Sequence, residues 1–364
     1  MSVNRDDPLA PTLRLRQYPN FNFIRLLAAT GVMFSHAFLI ADGTEAGEPL
    51  VRLLGPGNII GIYCVFVFFI ASGYLITQSA VLSSSVFSYA WKRALRIYPA
   101  LFACGLVTAG VIAPWFSSLS MSAYFGKLRP LRYAVKTTLY ALWGWQIESV
   151  TFYAFPQSLG EGANGALWTI PEELACYGLI GVMLFTGLLR FRTAALLAAL
   201  AAGSMLIDFA GAPRLISAFF LLLPSFAFGS LIYFIHRAVG LRGDIALAMI
   251  ALALVTASFG LLKQAFPVLV SYPLIWLATS GRVRLPSLEK LGDISYGAYL
   301  YGWPVEQVAR AVLGPQATWW AVFAISWPVA AMLGYVSWHL LEKRALRLKK
   351  VRWPRRLTTV PNQQ

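Results

Sequence analysis

Charge is scarce in this chain. Lys, Arg, Asp and Glu make up 12% of its 364 residues, about half the share of an ordinary soluble domain, and mean hydropathy is +0.64. That shortage excludes an ordinary soluble globular fold. Acidic residues are the rarer sign, 15 against 30 Lys and Arg, which leaves a formal net charge of +15. The basic residues fall in short clusters between apolar runs and form no stripe interleaved with aromatics, so nucleic acid is not the expected partner. Cysteine is nearly absent too. Cys64, Cys104 and Cys176 lie inside apolar runs without C-x-x-C spacing, which predicts small buried hydrophobes and no metal or redox centre. Residues 1–20 are polar and no small-residue cleavage site is evident, so the apolar run from Phe21 is expected to stay as a first span. Inverted repeats, low-complexity stretches and a soluble appendage are likewise missing from the pattern.

Long apolar runs are what the chain does have. A run such as Gly57 to Ser79 matches the 17 to 25 residues that a helix needs to cross a bilayer. Apolar windows predict an all-α polytopic membrane protein of about ten transmembrane helices. They lie near 21–40, 58–79, 97–114, 167–188, 193–210, 215–235, 244–260, 266–280, 291–308 and 319–341. The stretch 128–147 mixes Arg129, Arg132 and Lys136 with Leu139, Trp143 and Trp145. Counted as a full span, it would place Arg190, Arg192, Arg237, Arg242, Arg282, Arg284, Lys290 and the basic tail outside. The positive-inside rule therefore favours an amphipathic or re-entrant segment there. The expected organisation is a cytoplasmic tail (1–20), one membrane domain (21–342) and a basic cytoplasmic tail (343–364) drawn to anionic headgroups.

A charged residue at bilayer depth costs a few kcal/mol, so Arg25, His36, Glu172 and Glu173 need a reason to be there. Arg25 and His36 are eleven residues apart on one helix, about 16 Å along its axis and close to one face. Glu173 is expected at a depth similar to His36, where a carboxylate would orient the imidazole as a general base; a structural core histidine is the alternative. Lys92, Arg93 and Arg96 open the third predicted span. Arg93 and Arg96 suit a phosphate anchor, or else a simple positive-inside flank. His236 and His339 read as interfacial.

These residues sit in motifs that resemble the acyltransferase-3 family of bacterial inner-membrane acyltransferases over most of the chain. FNFIRLLAATGVMFSHAF is similar to its first helix, with Arg25 and His36 in place. FFIASGYLIT, with Ser72, Gly73 and Tyr74, resembles the second-helix motif, and RALRIYP supplies Arg93 and Arg96. GALWTIPEELACY resembles the LWTLP-x-E segment, placing Trp168, Glu173 and Tyr177. LGDISYGAYLYGWPVEQ resembles the late SYxxYLxHxP motif with Gly302 where many members carry His, and HLLEKRALRLKK resembles the closing E-K helix.

The resemblance implies an O-acyltransferase, most simply an O-acetyltransferase, that moves an acyl group from cytoplasmic acetyl-CoA to a hydroxyl of a sugar or glycan. It implies a multi-pass protein of the bacterial inner membrane with both termini cytoplasmic. Arg25, Lys92, Arg93 and Arg96 would hold the donor, His36 and Glu173 would do the chemistry, and Trp168, Tyr74 or Ser72 would contact substrate or oxyanion. The mechanism is either direct transfer or transient acylation of His36. Expected partners are acyl-CoA, the glycan acceptor and the bilayer, and a homo-oligomer stays open. Acceptor recognition is expected in 41–57 and 115–166, with a cleft in 144–168. A transporter of a sugar-linked or lipid substrate is the alternative, since buried Arg, His and Glu also suit a substrate pathway.

Overall fold

The computed structural model describes residues 18–139, 147, 149–151, 163–207, 209, 211–288 and 290–350. It is a helical bundle, and no strand occurs among the described residues; one isolated bridge joins Ser117 to Val150. In chain order the helices are α1 (Pro19–Asp42), α2 (Pro49–Leu54), α3 (Ile60–Val81), α4 (Val86–Val107), α5 (Met121–Gly126), α6 (Arg129–Leu139) and α7 (Ile170–Phe185). They continue with α8 (Phe191–Ser204), α9 (Arg214–Val239), α10 (Gly243–Ser258), α11 (Leu262–Thr279), α12 (Ser295–Leu313), α13 (Trp319–Ser337) and α14 (Lys343–Arg347). Six helical stretches among the described residues are long and apolar enough to cross a membrane: 20–42, 60–81, 86–116, 165–185, 214–239 and 319–347. Helices α8 and α10 are apolar but shorter. Helices α11 and α12 are long but fall outside the six, and α12 is buried and rich in polar groups. The structure thus bears out an all-helical membrane protein, while the count of ten goes beyond it.

The helix ends follow the local chemistry. Helix α1 begins with Pro19, whose missing N–H costs nothing in a first turn. It stops at Gly43, whose left-handed backbone lets its N–H reach the Leu39 carbonyl. Helix α4 begins eleven residues before the expected 97, because Ser85 caps it by accepting from the Ser88 N–H, worth about 1 kcal/mol. Lys92, Arg93 and Arg96 therefore sit within the helix and do not open it. Side chains elsewhere in the bundle absorb their charge, as described below. The stretch expected to be amphipathic is seen as α6, which turns Tyr133, Ala134 and Thr137 inward and leaves Leu131, Val135 and Leu139 exposed. Residues 140–146 of that stretch, the tails 1–17 and 351–364, and most of the expected 144–168 cleft lie outside the described residues.

Hydrophobic area gives helices little reason to associate inside lipid, so close packing of small residues holds the bundle. At the α3–α9 crossing, Gly73 lies against the Phe226 carbonyl and Gly229 against the Ile70 carbonyl. Gly297 and Gly334 bring α12 and α13 together, and Gly105 of α4 meets Ala134 of α6, where a Cβ would lie 2.9 Å from Cα. Helices α1, α3, α7 and α12 enclose the interior that holds the motif residues.

Candidate active site

His36 projects from the second half of α1 toward α12. Its Nδ1 lies 3.5 Å from Oε2 of Glu306, and its ring stands edge-on to Trp303 with centroids 4.9 Å apart. Glu306 is completely buried, and no hydrogen-bond donor reaches either carboxylate oxygen among the described residues. The backbone of Gly165 also packs on Trp303, where a Cβ would come within 2.8 Å of the indole, so the tight turn Gly165–Thr169 contacts the tryptophan that flanks His36. Met33, one turn before His36, fills the space where a side chain at Gly302 would stand, 2.9 Å from its Cβ position. This explains how the chain packs without a histidine there.

A segment between α1 and α3 lies beside this end. Glu48 is fully buried, accepts from the Ser35 hydroxyl and takes the Ile60 N–H at 2.7 Å. Burial pushes its carboxyl above the usual range, and those two hydrogen bonds pull the other way. Burial also raises Glu45, against the opposing charges of His36 and Lys263. Gly61 packs on Ser35, so the start of α3 lies against the His36 turn of α1.

The other end of α1 is ionic. Asp293 accepts from Arg25 at 2.7 Å and from Arg96 at 2.6 Å, and Arg96 also reaches Glu342 at 3.1 Å. The two guanidiniums thus neutralise the buried carboxylate between them. The Arg96 guanidinium also lies over the rings of Tyr296 and Trp338. Lys92 donates to Ser83 Oγ at 3.0 Å and Arg93 to Ser79 Oγ at 3.2 Å, while Arg93 Nε is buried without a partner. Lys349 joins them from beyond α14. Burial and then the charges of Arg93, Arg96 and Lys92 lower its amine to about 8. Lys92, Arg93 and Lys349 thus gather three cations at this end, the first two hydrogen-bonded to hydroxyls, a grouping whose charge suits an anion.

Helix α12 connects the two ends. Asp293, Tyr296, Tyr299, Trp303 and Glu306 recur every three or four residues and share one face. Between the ends lies a narrow chamber of about 40 Å³ lined by Arg25, Phe68, Ser72, Thr169, Glu173 and Tyr299 among others. Tyr299 lines it, its hydroxyl held 2.8 Å from Thr169 Oγ1 and 2.7 Å from the Ala166 carbonyl, one turn of α12 before Trp303, which meets His36.

The motifs therefore converge, with three changes to the expected roles. The carboxylate facing His36 is Glu306 and not Glu173, because α7 starts only at Ile170 and turns Glu173 into the chamber, where it accepts from the Tyr177 hydroxyl. Tyr74 lies outside the chamber on the opposite face of α3, its hydroxyl 2.7 Å from Nδ1 of His236, so His236 is a partner inside the bundle. Arg96 is engaged by two carboxylates, leaving Lys92 and Arg93 as the members of that cluster turned to hydroxyls. Ser72 lines the chamber, and Trp168 lines a separate cavity behind the Gly165–Thr169 turn. Sequence reasoning missed Glu306, Asp293 and Lys349. The one available signal was that Asp293 and Glu306 lie in an apolar run, at the depth where a charge needs a partner.

A family model described as an acyltransferase domain matches residues 18–339. An O-acetyl transferase of Shigella phage Sf6 is 29% identical over 336 residues, covering 90% of this chain and 95% of that protein. Nodulation protein 10 of Rhizobium leguminosarum bv. viciae is 28% identical over 368 residues, covering 93% and 96%. No solved structure matches at a significant level. The family match runs from the start of α1 to the end of α13 and takes in the motifs that carry Arg25, His36, Arg93, Arg96, Glu173 and Glu306, and the chain belongs to the acyltransferase-3 family and is an acyltransferase.

Proposed function

We propose that this acyltransferase carries an acetyl group from cytoplasmic acetyl-CoA to a hydroxyl of a sugar or glycan at the other face of a bacterial inner membrane. In this reading ten helices span, both termini are cytoplasmic, and the end bearing Lys92, Arg93 and Lys349 faces the cytoplasm. The observation that carries the reading is the single file of polar and aromatic groups on α12, which begins at the cation cluster and ends at the buried His36–Glu306 pair. The phosphates of the donor dock on Lys92, Arg93 and Lys349. The thioester arm passes Arg25, Ser72 and Glu173, and Tyr299 yields its two hydrogen bonds to let it reach His36. Nδ1–H of His36 points to Glu306, which fixes the tautomer and leaves Nε2 as the base. Nε2 takes the proton of the acceptor hydroxyl while its oxygen attacks the thioester carbonyl. The carbon–sulfur bond breaks, and the thiolate leaves with the proton that the imidazolium returns.

Membranes containing the wild type, His36→Ala or Glu306→Gln, given radiolabelled acetyl-CoA and glycan fractions, test this. Ester label that appears with wild type and is lost in His36→Ala at equal protein level is the expected result. Label that survives His36→Ala would overturn the base assignment, and absence of any label with folded wild type would overturn the donor.

A further inference from the structure

A cavity of about 760 Å³ opens beside the His36 end, between the starts of α3, α9 and α11, the end of α8 and the Gly165–Thr169 turn. That volume is typical of a small-molecule site. Its wall is mostly apolar, with a few polar groups set into it. Trp168 offers an aromatic face, Ser204, Ser217 and Gln264 offer hydrogen-bonding groups, and the ionisable side chains among its described lining residues, Arg214 and Lys263, are both cations. Carboxylates outside the lining act on both: Glu172 on Arg214, and Glu45 on Lys263. The Gly57 backbone passes beside the Lys263 ammonium, a Cβ there standing in ordinary contact at 3.7 Å from Nζ, and its φ of +79° favours glycine.

This cavity and the His36 pair share their walls. Ile59 and Ile62 face the cavity while Gly61, between them, packs on Ser35 beside His36. Trp168 belongs to the same five-residue turn as Gly165, which packs on Trp303, and Trp303 in turn meets the His36 ring. Ile207 of the lining is exposed, as are its chain neighbour Leu206 and Leu215 and Ile216 next to Arg214, so apolar surface lies close to the cavity.

We infer that this cavity is the acceptor pocket and that it selects a saccharide bearing an anionic group, phosphate or carboxylate, held by Lys263 and Arg214 with a sugar ring against Trp168. The inference rests on the acetyl-transfer reading for the word acceptor and on the cavity alone for its charge preference. Binding is therefore measured without acetyl-CoA. Full-length protein in phosphatidylcholine nanodiscs is titrated with glucose 1-phosphate, glucuronate, glucose, a polyprenyl phosphate, the matching polyprenol and phosphatidylglycerol, followed by native mass spectrometry.

The expected result is saturable one-to-one binding of at least one anionic probe, ten-fold or more tighter than its neutral counterpart. It should weaken about ten-fold in Lys263→Gln and in Arg214→Gln and be retained in Lys263→Arg and His36→Ala. The polyprenyl phosphate and the soluble sugars separate a lipid-borne acceptor from a free one, and glucuronate separates carboxylate from phosphate. Equal binding of neutral and anionic probes, no response to Lys263→Gln in a protein that melts normally, or equal competition by phosphatidylglycerol would each overturn the pocket. Anion binding in a protein that transfers no label would instead overturn the transfer reading and leave the pocket's charge preference standing.

Discussion

Replacing Glu306 by Gln separates chemistry from folding more cleanly than any other change at this site. The side chain keeps its volume and planarity but loses the charge that faces His36 Nδ1 across 3.5 Å. Removing a buried carboxylate that no hydrogen-bond donor reaches also removes a desolvation cost, so the folded protein should melt at or above the wild-type temperature. Catalysis should move the other way. A general base properly held contributes about 10²- to 10⁴-fold, and an amide at this position can face Nδ1 with its NH₂ and favour the wrong tautomer. A fall in kcat of about 10²- to 10³-fold is expected, equivalent to about 3–4 kcal/mol of transition-state stabilisation, with little change in the KM for acetyl-CoA. Single-turnover transfer of labelled acetyl by purified protein, beside a thermal melt in the same detergent, provides both readouts. A kcat within three-fold of wild type, or a melt lowered in step with activity, would refute the argument. Glu173→Gln, measured in parallel, should raise KM for the donor more than it lowers kcat.

Asp293→Asn leaves Arg25 and Arg96 without their shared carboxylate, which should cost about 3–5 kcal/mol in unfolding experiments. Lys349, lowered to about 8, is charged below that pH and neutral above it. CoA binding followed by calorimetry should weaken as pH rises through about 8 in wild type and lose that step in Lys349→Met. Gly73→Ala would press a methyl group on the Phe226 carbonyl, and a loss of about 1–3 kcal/mol in thermal stability is expected; an unchanged melt would show that α3 and α9 are free to separate.

Composition and periodicity made much of the scaffold readable, because lipid forces each crossing segment to be both apolar and helical. The first motif placed Arg25 and His36 on one face of α1 directly. What stayed hidden were pairings between distant segments. His36 finds its carboxylate on α12, and no local spacing points there. The start of α4 was misplaced for a related reason. Lys92, Arg93 and Arg96 depress local hydropathy and mimic a flank, yet Ser79, Ser83, Asp293 and Glu342 accept them, so the helix runs on through the charges. Trp168 was recognised as a motif residue, but only the fold shows that it faces a cavity and that its neighbour Gly165 faces the indole of Trp303.

The tie between Arg25 and Asp293 joins residues 268 positions apart. At about 5–20 residues per second, roughly 15 to 50 s of synthesis separate the emergence of the two. During that interval the first helix is already in the bilayer with its histidine, but neither the ionic knot nor Glu306 yet exists. On the proposed mechanism, a nascent or truncated chain lacks the carboxylate that activates the imidazole, and transfer begins only when the penultimate hydrophobic helix arrives, so the order of biogenesis would guard the acyl donor against hydrolysis.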